Sequence, residues 1–205
     1  KMPYQECSLR FSGYAVKIQS YSSTDKEKEA QINQEIDILN KIQKLKSPIC
    51  SGILGTYKQT SIKSLNSFKM YILMNKYEKT LYSLINQKEM AILTIDNVKE
   101  IMEQLIYGIS LLHDNKIWHR DLKPSNIMLR DSQKFDIALI DFGLSKKFDT
   151  DLETGRQRTN TIKGTPFYVS PEVKRVANNK FEAYKDYSSN IDWWSVAVIL
   201  LNLLK

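Results

Sequence analysis

The charged segment at residues 119–126 constrains this chain more than any other feature of its 205 residues. It places a carboxylate, a guanidinium, an ammonium and a carboxamide between an apolar helical pattern and the apolar run at 127–129. Burying such groups is costly unless they are paired with one another. The sequence therefore predicts a loop of paired polar side chains between a helix and a strand, as is typical of a catalytic or binding site.

A second polar feature, Asp141-Phe142-Gly143, directly follows the apolar run at 137–140. An aspartate at the end of a buried strand is well placed to hold a hard cation through its oxygens. This second feature lies close in sequence to the charged segment and is a candidate cation site.

Hydrophobic periodicity predicts the elements around these features. Apolar residues at helical spacing predict a helix across 32–42, capped by Thr24 or Asp25, and a longer helix from Thr94 to Leu112. A last helix is expected to start near Asp192. The polar segment 145–163 has no apolar period and is predicted to be a mobile loop. Short apolar runs predict strands at 14–18, 51–60, 68–74, 127–129 and 137–140, with a polar turn at 61–67.

The order of these elements predicts an α+β chain in two parts. Strands with one helix come first, and a mostly helical part follows. The expected boundary lies near residues 75–79, with a small lobe at 1–76 and a larger lobe at 77–205.

Composition narrows the class of protein. The formal net charge is +7, but the lysines and arginines are scattered, which predicts a solvated surface and no nucleic-acid site. Cys7 and Cys50 are far apart, which favours a reduced, intracellular protein, expected in the cytoplasm. The apolar stretch at 196–201 is far shorter than the roughly 20 residues that span a bilayer. No membrane segment is expected.

These segments, taken in order, resemble the motifs of the eukaryotic protein kinase family. Ala15-Val16-Lys17 resembles the lysine motif of the third strand, and Glu35 resembles its ion-pair partner on the next helix. Residues 119–126 resemble the catalytic loop, and residues 141–143 resemble the magnesium-binding triplet. The match extends over nearly the whole chain, and implies a two-lobed kinase fold.

The resemblance continues toward the end of the chain. Residues 164–172 resemble the end of the activation segment, with Ser170 in place of the commoner alanine. Asp192-Trp193-Trp194-Ser195 resembles the start of the helix that supports the catalytic loop, with Ala197 where a glycine is usual. By this resemblance Asp192 would hold the backbone of the catalytic loop.

The resemblance implies a role for each polar group in transferring phosphate from ATP to a protein. Lys17, fixed by Glu35, would hold the α- and β-phosphates. Asp141 and Asn126 would bind Mg²⁺. Asp121 would orient the substrate hydroxyl and accept its proton.

The acceptor and the regulation also follow from the resemblance. Lys123 would lie near the γ-phosphate, and with Thr165 it favours serine or threonine as the acceptor. Arg120 would pair with a phosphate on the activation loop, placed at Thr161 or, as the next choice, at Thr159. An upstream kinase or autophosphorylation would add that phosphate.

For the adenine base, the resemblance points to the segment after the third predicted strand. Met74 would be the gatekeeper, and backbone groups of Asn75 and Tyr77 would hydrogen-bond the base. Ala15 and Met128 would enclose the ring.

Structural roles are expected for the histidine and tryptophans near the site. His119 would pack near Phe142 and would not act as a base or metal ligand. His113 is expected to be a packing or capping residue, and Trp193 and Trp194 are expected in the core or at a lobe interface.

Two parts of the family pattern are missing from the printed sequence, and two alternatives stay open. No G-x-G-x-x-G occurs, and the later helices that supply an arginine partner for Glu172 are absent, so a fragment that is poorly soluble and poorly active alone is expected. A pseudokinase acting as a scaffold is the first alternative, favoured by the missing glycine-rich loop. A kinase for lipids or small molecules is the second, and residues 164–172 argue against it.

Overall fold

The computed structural model describes residues 13–61, 64–86, 93–131, 134–147, 157–158, 165–178, 186–187 and 189–204. Contacts divide the chain into two compact units, residues 1–77 and 78–205. The first combines a sheet with one long helix, and the second combines several helices with short strands. The α+β class predicted from the sequence is confirmed. The candidate regulatory residues Thr159 and Thr161 lie outside the described residues.

The sheet of the first unit has three antiparallel strands in the order β1-β3-β2. They are β1 (Tyr14–Ser22), β2 (Gly55–Ser61) and β3 (Ser64–Asn75). Lys17 lies opposite Ile72 in the register of β1 with β3. Ile72 is fully buried, and directly opposed residues share one face of a sheet. Lys17 therefore extends from the face of the sheet that carries the core.

Helix α1 (Lys26–Leu45) begins and ends with local caps. The side chain of Asp25 accepts a hydrogen bond from the backbone N–H of Lys28 at 2.9 Å, so Asp25 is the N-cap. Lys46 ends the helix in the left-handed conformation. One face of α1 buries Ile32, Glu35, Ile38, Leu39 and Ile42. Glu35 is the one acidic residue in this apolar stripe. Because it is buried, its carboxylate needs hydrogen-bonding or charged partners there.

The predicted strand at 51–60 is wrong for its first four residues, because β2 starts at Gly55. Ser51 and Ile53 are buried outside the sheet. A Cβ on Gly52 would lie 2.7 Å from the Cα of Gln43 in α1. This stretch therefore packs against the helix and does not pair as a strand. The predicted polar turn at 61–67 is also too long, since β3 already begins at Ser64.

Cys50 lies at the start of this packed stretch and is buried. Burial raises the pKa of its thiol to about 12. Because the thiolate is the reactive form, we expect the thiol of a Cys7→Ser variant to resist alkylation at pH 8 until the chain is unfolded. The same variant in concentrated guanidinium chloride is the positive control. Alkylation of the native variant at the rate of a free cysteine would contradict the burial.

The described residues of the second unit form three small antiparallel sheets. Strands β4, β6 and β7 form one sheet, β5 pairs with β8, and β9 pairs with β10. The strands are β4 (Lys79–Thr80), β5 (Ile117–Trp118), β6 (Ile127–Asp131), β7 (Asp136–Leu139), β8 (Lys146–Lys147), β9 (Gln157–Arg158) and β10 (Asp186–Tyr187). The helices are α2 (Leu81–Asn86), α3 (Ile95–Asp114), α4 (Pro171–Asn178) and α5 (Asn190–Leu203), with a short 3₁₀ helix at Pro124–Asn126.

Helix α3 matches its prediction closely. Thr94 caps it, and the side chains and backbones of Thr94 and Asn97 form a reciprocal capping box. Its buried face carries apolar residues at helical spacing, among them Ile101, Leu105 and Ile109. The helix ends just before β5, and so delivers the chain to the start of the charged loop.

The sequence did not predict several elements of the second unit, among them α2, α4, β8 and β9. Helices α2 and α4 are short, and α2 is held by burial of Leu81 and Leu84. The segment 145–163 was predicted to be a loop throughout, but it contains β8 and β9. Strand β8 forms because β5 supplies a partner, with Lys146 opposite Trp118. Strands of two residues can pair without an alternating apolar pattern in the sequence.

Helix α5 buries one side and exposes an apolar stripe on the other. Ile191, Val196 and Ile199 are buried, whereas Trp194 and Leu201 are exposed. Of the two places expected for Trp194, the core is therefore wrong, and the lobe interface stays a prediction. Within the described ranges, none of the helices combines the length and the apolar character needed to cross a membrane.

Candidate active site

The first unit contains a buried ion pair between strand and helix. The Nζ of Lys17 lies 2.6 Å from Oε1 of Glu35, whose side chain is only 4% exposed. The other carboxylate oxygen, Oε2, accepts a hydrogen bond of 2.8 Å from Nε2 of Gln19. Lys17 and Gln19 are two residues apart on β1 and so share a face. The strand therefore supplies a partner for each oxygen of the buried carboxylate.

The second unit brings Asp121, Lys123 and Thr165 together. The Nζ of Lys123 donates to Oδ2 of Asp121 at 2.7 Å and to Oγ1 of Thr165 at 2.9 Å. The hydroxyl of Thr165 donates in turn to Oδ1 of Asp121 at 3.1 Å. The three side chains form a closed triangle around a carboxylate that is 8% exposed.

Asn126 ties this triangle to the strand that precedes Asp141. Its Nδ2 donates to the backbone oxygen of Asp121 at 2.8 Å and to Oδ2 of the same residue at 3.1 Å. Its backbone oxygen accepts from the N–H of Ile140 at 3.0 Å. Both side-chain bonds use Nδ2, so within the described part of the chain the carbonyl oxygen Oδ1 remains available to a cation.

The residues present fit a magnesium ion. A carboxylate from Asp141 and the carboxamide oxygen of Asn126 are hard oxygen ligands, and Mg²⁺ is commonly held by one or two such groups together with substrate phosphates. The described residues contain no group of three or more His, Cys, Asp or Glu side chains that could hold a metal by themselves. A carboxylate and a carboxamide oxygen suit a cation that is brought in with a phosphate ligand. Asp141 has a φ of 61°, a left-handed conformation that is uncommon outside glycine.

Asp192, at the start of α5, holds the backbone that leads into the charged loop. Its Oδ2 accepts from the N–H of His119 and its Oδ1 from the N–H of Arg120, both at 2.8 Å. A third bond of 2.8 Å joins Nε2 of His113 to Oδ2. Arg120 has a φ of 68°, so this carboxylate secures a left-handed residue. The predicted supporting role of Asp192 is confirmed.

His113 takes part in this support, which sequence reasoning missed. Its ring lies edge-on to Trp193, with centroids 5.6 Å apart. The contact with Asp192 joins residues 79 positions apart, so no local pattern could have revealed it.

His119 has the structural role that was predicted. Its ring centroid lies 5.0 Å from that of Phe142. Its Nε2 donates to the backbone oxygen of Ile140 at 3.1 Å, and its own backbone oxygen accepts from the hydroxyl of Ser145 at 3.0 Å. A carbonyl can only accept, so Nε2 carries a proton and cannot act as a base.

The positive charge of Arg120 acts on Lys146. Burial, and then the positive charge of Arg120, lowers the pKa of Lys146. Two cations held close together in a partly buried place favour an anion beside them. Sequence reasoning singled out Arg120 but missed Lys146, which looked like one more scattered surface lysine.

The residues predicted to contact adenine are found on strands or next to them. Ala15 lies opposite Met74, and Asn75 is the last residue of β3. The hydroxyl of Tyr77 donates to Oγ of Ser51 at 3.5 Å. Met128 pairs with Thr80 and Ala138 in the second unit. Their contact with a base stays a prediction.

Comparison with known proteins gives one family. The family described as protein kinase domain matches residues 9–205. The DNA damage response protein kinase DUN1 of Saccharomyces cerevisiae is 33% identical over 204 residues, covering 91% of this chain and 36% of the relative. The phosphorylase b kinase gamma catalytic chain, liver/testis isoform, of Bos taurus is 40% identical over 104 residues, covering 51% of this chain and 23% of the relative.

A solved structure gives the same result. A chain in the crystal structure of the yeast RNA Pol II CTD kinase CTDK-1 complex is similar with a TM-score of 0.66 and 25% identity. The similarity covers 92% of this chain and 54% of that one. The chain thus spans only part of the length of the proteins it matches.

Proposed function

The chain belongs to the protein kinase family, and on that premise we propose that its protein transfers the γ-phosphate of ATP to serine or threonine hydroxyls of protein substrates. The arrangement of Asp121, Lys123 and Thr165 carries the proposal. It joins a carboxylate, a cation and a hydroxyl in one buried cluster, and phosphoryl transfer needs mainly positioning and charge stabilisation.

Asp121 is the proposed base. Each carboxylate oxygen has about two lone-pair sites. Oδ2 of Asp121 accepts from Lys123 and Asn126, whereas Oδ1 accepts from Thr165. The second lone pair of Oδ1 is therefore the place where a substrate hydroxyl would donate its hydrogen bond and then leave its proton.

The remaining groups bind and orient the nucleotide. Lys17, held by Glu35, would contact the α- and β-phosphates. Lys123 would contact the γ-phosphate from its position beside the base. Asp141 and Asn126 would hold Mg²⁺, which when bound neutralises charge on the phosphate oxygens. Ala15, Met74, Asn75, Tyr77 and Met128 are the proposed adenine contacts.

A transfer assay tests the proposal directly. We expect Mg²⁺-dependent transfer of ³²P from ATP to a generic protein substrate, with the label recovered as phosphoserine or phosphothreonine. Nucleotide binding without transfer would contradict the proposal and favour a scaffold protein. Label recovered in lipid would favour the other alternative. The cytoplasmic location expected from Cys7 and Cys50 stays a prediction.

Regulation by a loop phosphate is the second part of the proposal. The neighbouring cations Arg120 and Lys146 support it, because a phosphate between them would relieve their repulsion and form charge-assisted hydrogen bonds. Thr161 is the proposed site and Thr159 the next choice. The phosphate would come from an activating kinase or from autophosphorylation.

Replacing the proposed site tests this regulation. We expect Thr161→Ala to lower the activity of the phosphorylated enzyme by about 5- to 150-fold, the usual range of a coupling between two sites. Phosphopeptide mapping of the active enzyme identifies the modified residue. Thr159→Ala is the matched control. Undiminished activity of Thr161→Ala would exclude Thr161 as the activating site.

A further inference from the structure

Gln19 contacts the buried ion pair, although nothing in its sequence position marks it. Its Nε2 donates to Oε2 of Glu35 at 2.8 Å, while Lys17 occupies Oε1 at 2.6 Å. We propose that Gln19 is a positioning residue that fixes the Glu35 carboxylate, and through it the Lys17 ammonium, in the orientation that binds phosphate. The phosphate-binding role of Lys17 is part of the proposed function, so this inference rests on that function.

Glu35 is buried, so both oxygens of its carboxylate need hydrogen-bond donors. Its side chain is 4% exposed and lies on the apolar face of α1 between Ile32 and Leu39. A buried carboxylate oxygen without a donor carries a large desolvation penalty. Lys17 contacts one carboxylate oxygen of Glu35, and the amide of Gln19 satisfies the other.

Gln19 is uncharged, and this decides how the negative charge of Glu35 is shared. A lysine or arginine at this position would also satisfy Oε2, but it would share the negative charge of Glu35 with Lys17. An apolar residue would leave Oε2 without its donor. A neutral donor satisfies the oxygen and leaves the whole charge of the carboxylate to Lys17.

The position of Gln19 in the sheet also supports a positioning role. Gln19 lies opposite the buried Met70 in the register of β1 with β3, two residues after Lys17. Both donors therefore extend from one rigid strand toward one residue of α1. Two hydrogen bonds from a single strand fix the position and the rotation of the carboxylate, which one bond to a flexible lysine does not.

The test compares Gln19→Leu with Gln59→Leu in the full-length protein. Gln59 is the matched control, because it is also part-buried and its Oε1 accepts from the hydroxyl of Tyr71 at 2.7 Å. It lies opposite Lys69 and so faces the other side of the sheet from Gln19. We expect Gln19→Leu to lower kcat/KM for ATP about tenfold, the effect of one unpaired buried acceptor, while Gln59→Leu changes it less than about twofold.

A second variant separates positioning from simple packing. Gln19→Glu keeps the shape but sets two carboxylates against each other. The charged groups that face this position are Lys17 of β1, Glu35 of α1 and Lys58 of β2, which like Gln19 lies opposite Met70. At pH 8 we expect a larger loss than in Gln19→Leu. At pH 6 a proton on the pair restores a donor, so the activity relative to the unaltered protein recovers. A loss that is the same at both pH values overturns the inference.

The outcomes distinguish this inference from the proposed function. If the unaltered protein transfers phosphate and Gln19→Leu equals it, Gln19 has no positioning role. If the unaltered protein transfers nothing, the proposed function fails, and the affinity for a fluorescent ADP analogue decides the role of Gln19 instead. An affinity about tenfold weaker in Gln19→Leu supports that role, and an unchanged affinity overturns it.

Discussion

Asp121→Asn is expected to reduce phosphoryl transfer by about 10²- to 10⁴-fold, the usual contribution of a general base. The amide has nearly the same shape as the carboxylate but accepts a proton far less readily. Nucleotide affinity should change little, because the phosphate contacts are assigned to Lys17 and Lys123. Rates of ³²P transfer and equilibrium binding of ATP measure the two effects separately.

A control is needed because Asp121 is also a structural acceptor. Its carboxylate receives hydrogen bonds from Lys123, Asn126 and Thr165, so the substitution also disturbs these hydrogen bonds. Thr165→Val removes one of these bonds and leaves the carboxylate in place. We expect its loss to be far smaller than that of Asp121→Asn. Normal turnover by Asp121→Asn would show that another group takes the proton.

The parts of this site that the sequence predicted are those coded by compact motifs. Residues 119–126 carry several functional groups within a few positions, and Asp141-Phe142-Gly143 directly follows an apolar run, so the order of these segments along the chain suffices to identify them. Glu35 was found only through the resemblance of the chain to the kinase motifs, because alone it would be an ordinary acid on a helix surface. The closed triangle was not predicted, since it joins residues 42 positions apart. The resemblance gave Lys123 and Thr165 only as signs of a serine or threonine acceptor.

The parts that the sequence did not predict depend on tertiary contacts. Lys146 looks like an ordinary surface residue, and the bond of His113 to Asp192 has no local signal, until distant elements are placed beside them. Residues 51–54 have the composition of a strand, but the close approach of Gly52 to α1 decides their conformation. Strand β8 exists because β5 supplies its partner. In each case a contact across the fold outweighed a weak local preference.

Asp192 anchors a left-handed part of the site, and its replacement should have the largest effect on stability. The side chain is 1% exposed and accepts three hydrogen bonds, two of them from the consecutive backbone N–H groups of His119 and Arg120. Arg120 holds a left-handed conformation that a non-glycine residue adopts at a penalty of about 1–2 kcal/mol. The carboxylate offsets that penalty.

We therefore expect Asp192→Ala to lower the free energy of unfolding of the second unit by about 3–5 kcal/mol, because buried donors lose their acceptor. Asp96→Ala is the matched control, since Asp96 also lies in the first turn of a helix but its side chain is 89% exposed. Its free energy of unfolding should fall by only about 0.3–1 kcal/mol, the size of a helix-dipole interaction. The chain has three tryptophans, Trp118, Trp193 and Trp194, all in the second unit, so their fluorescence in urea reports its unfolding alone. Equal losses for the two variants would mean that Asp192 acts only as a helix-terminal charge, and that other contacts hold the catalytic loop.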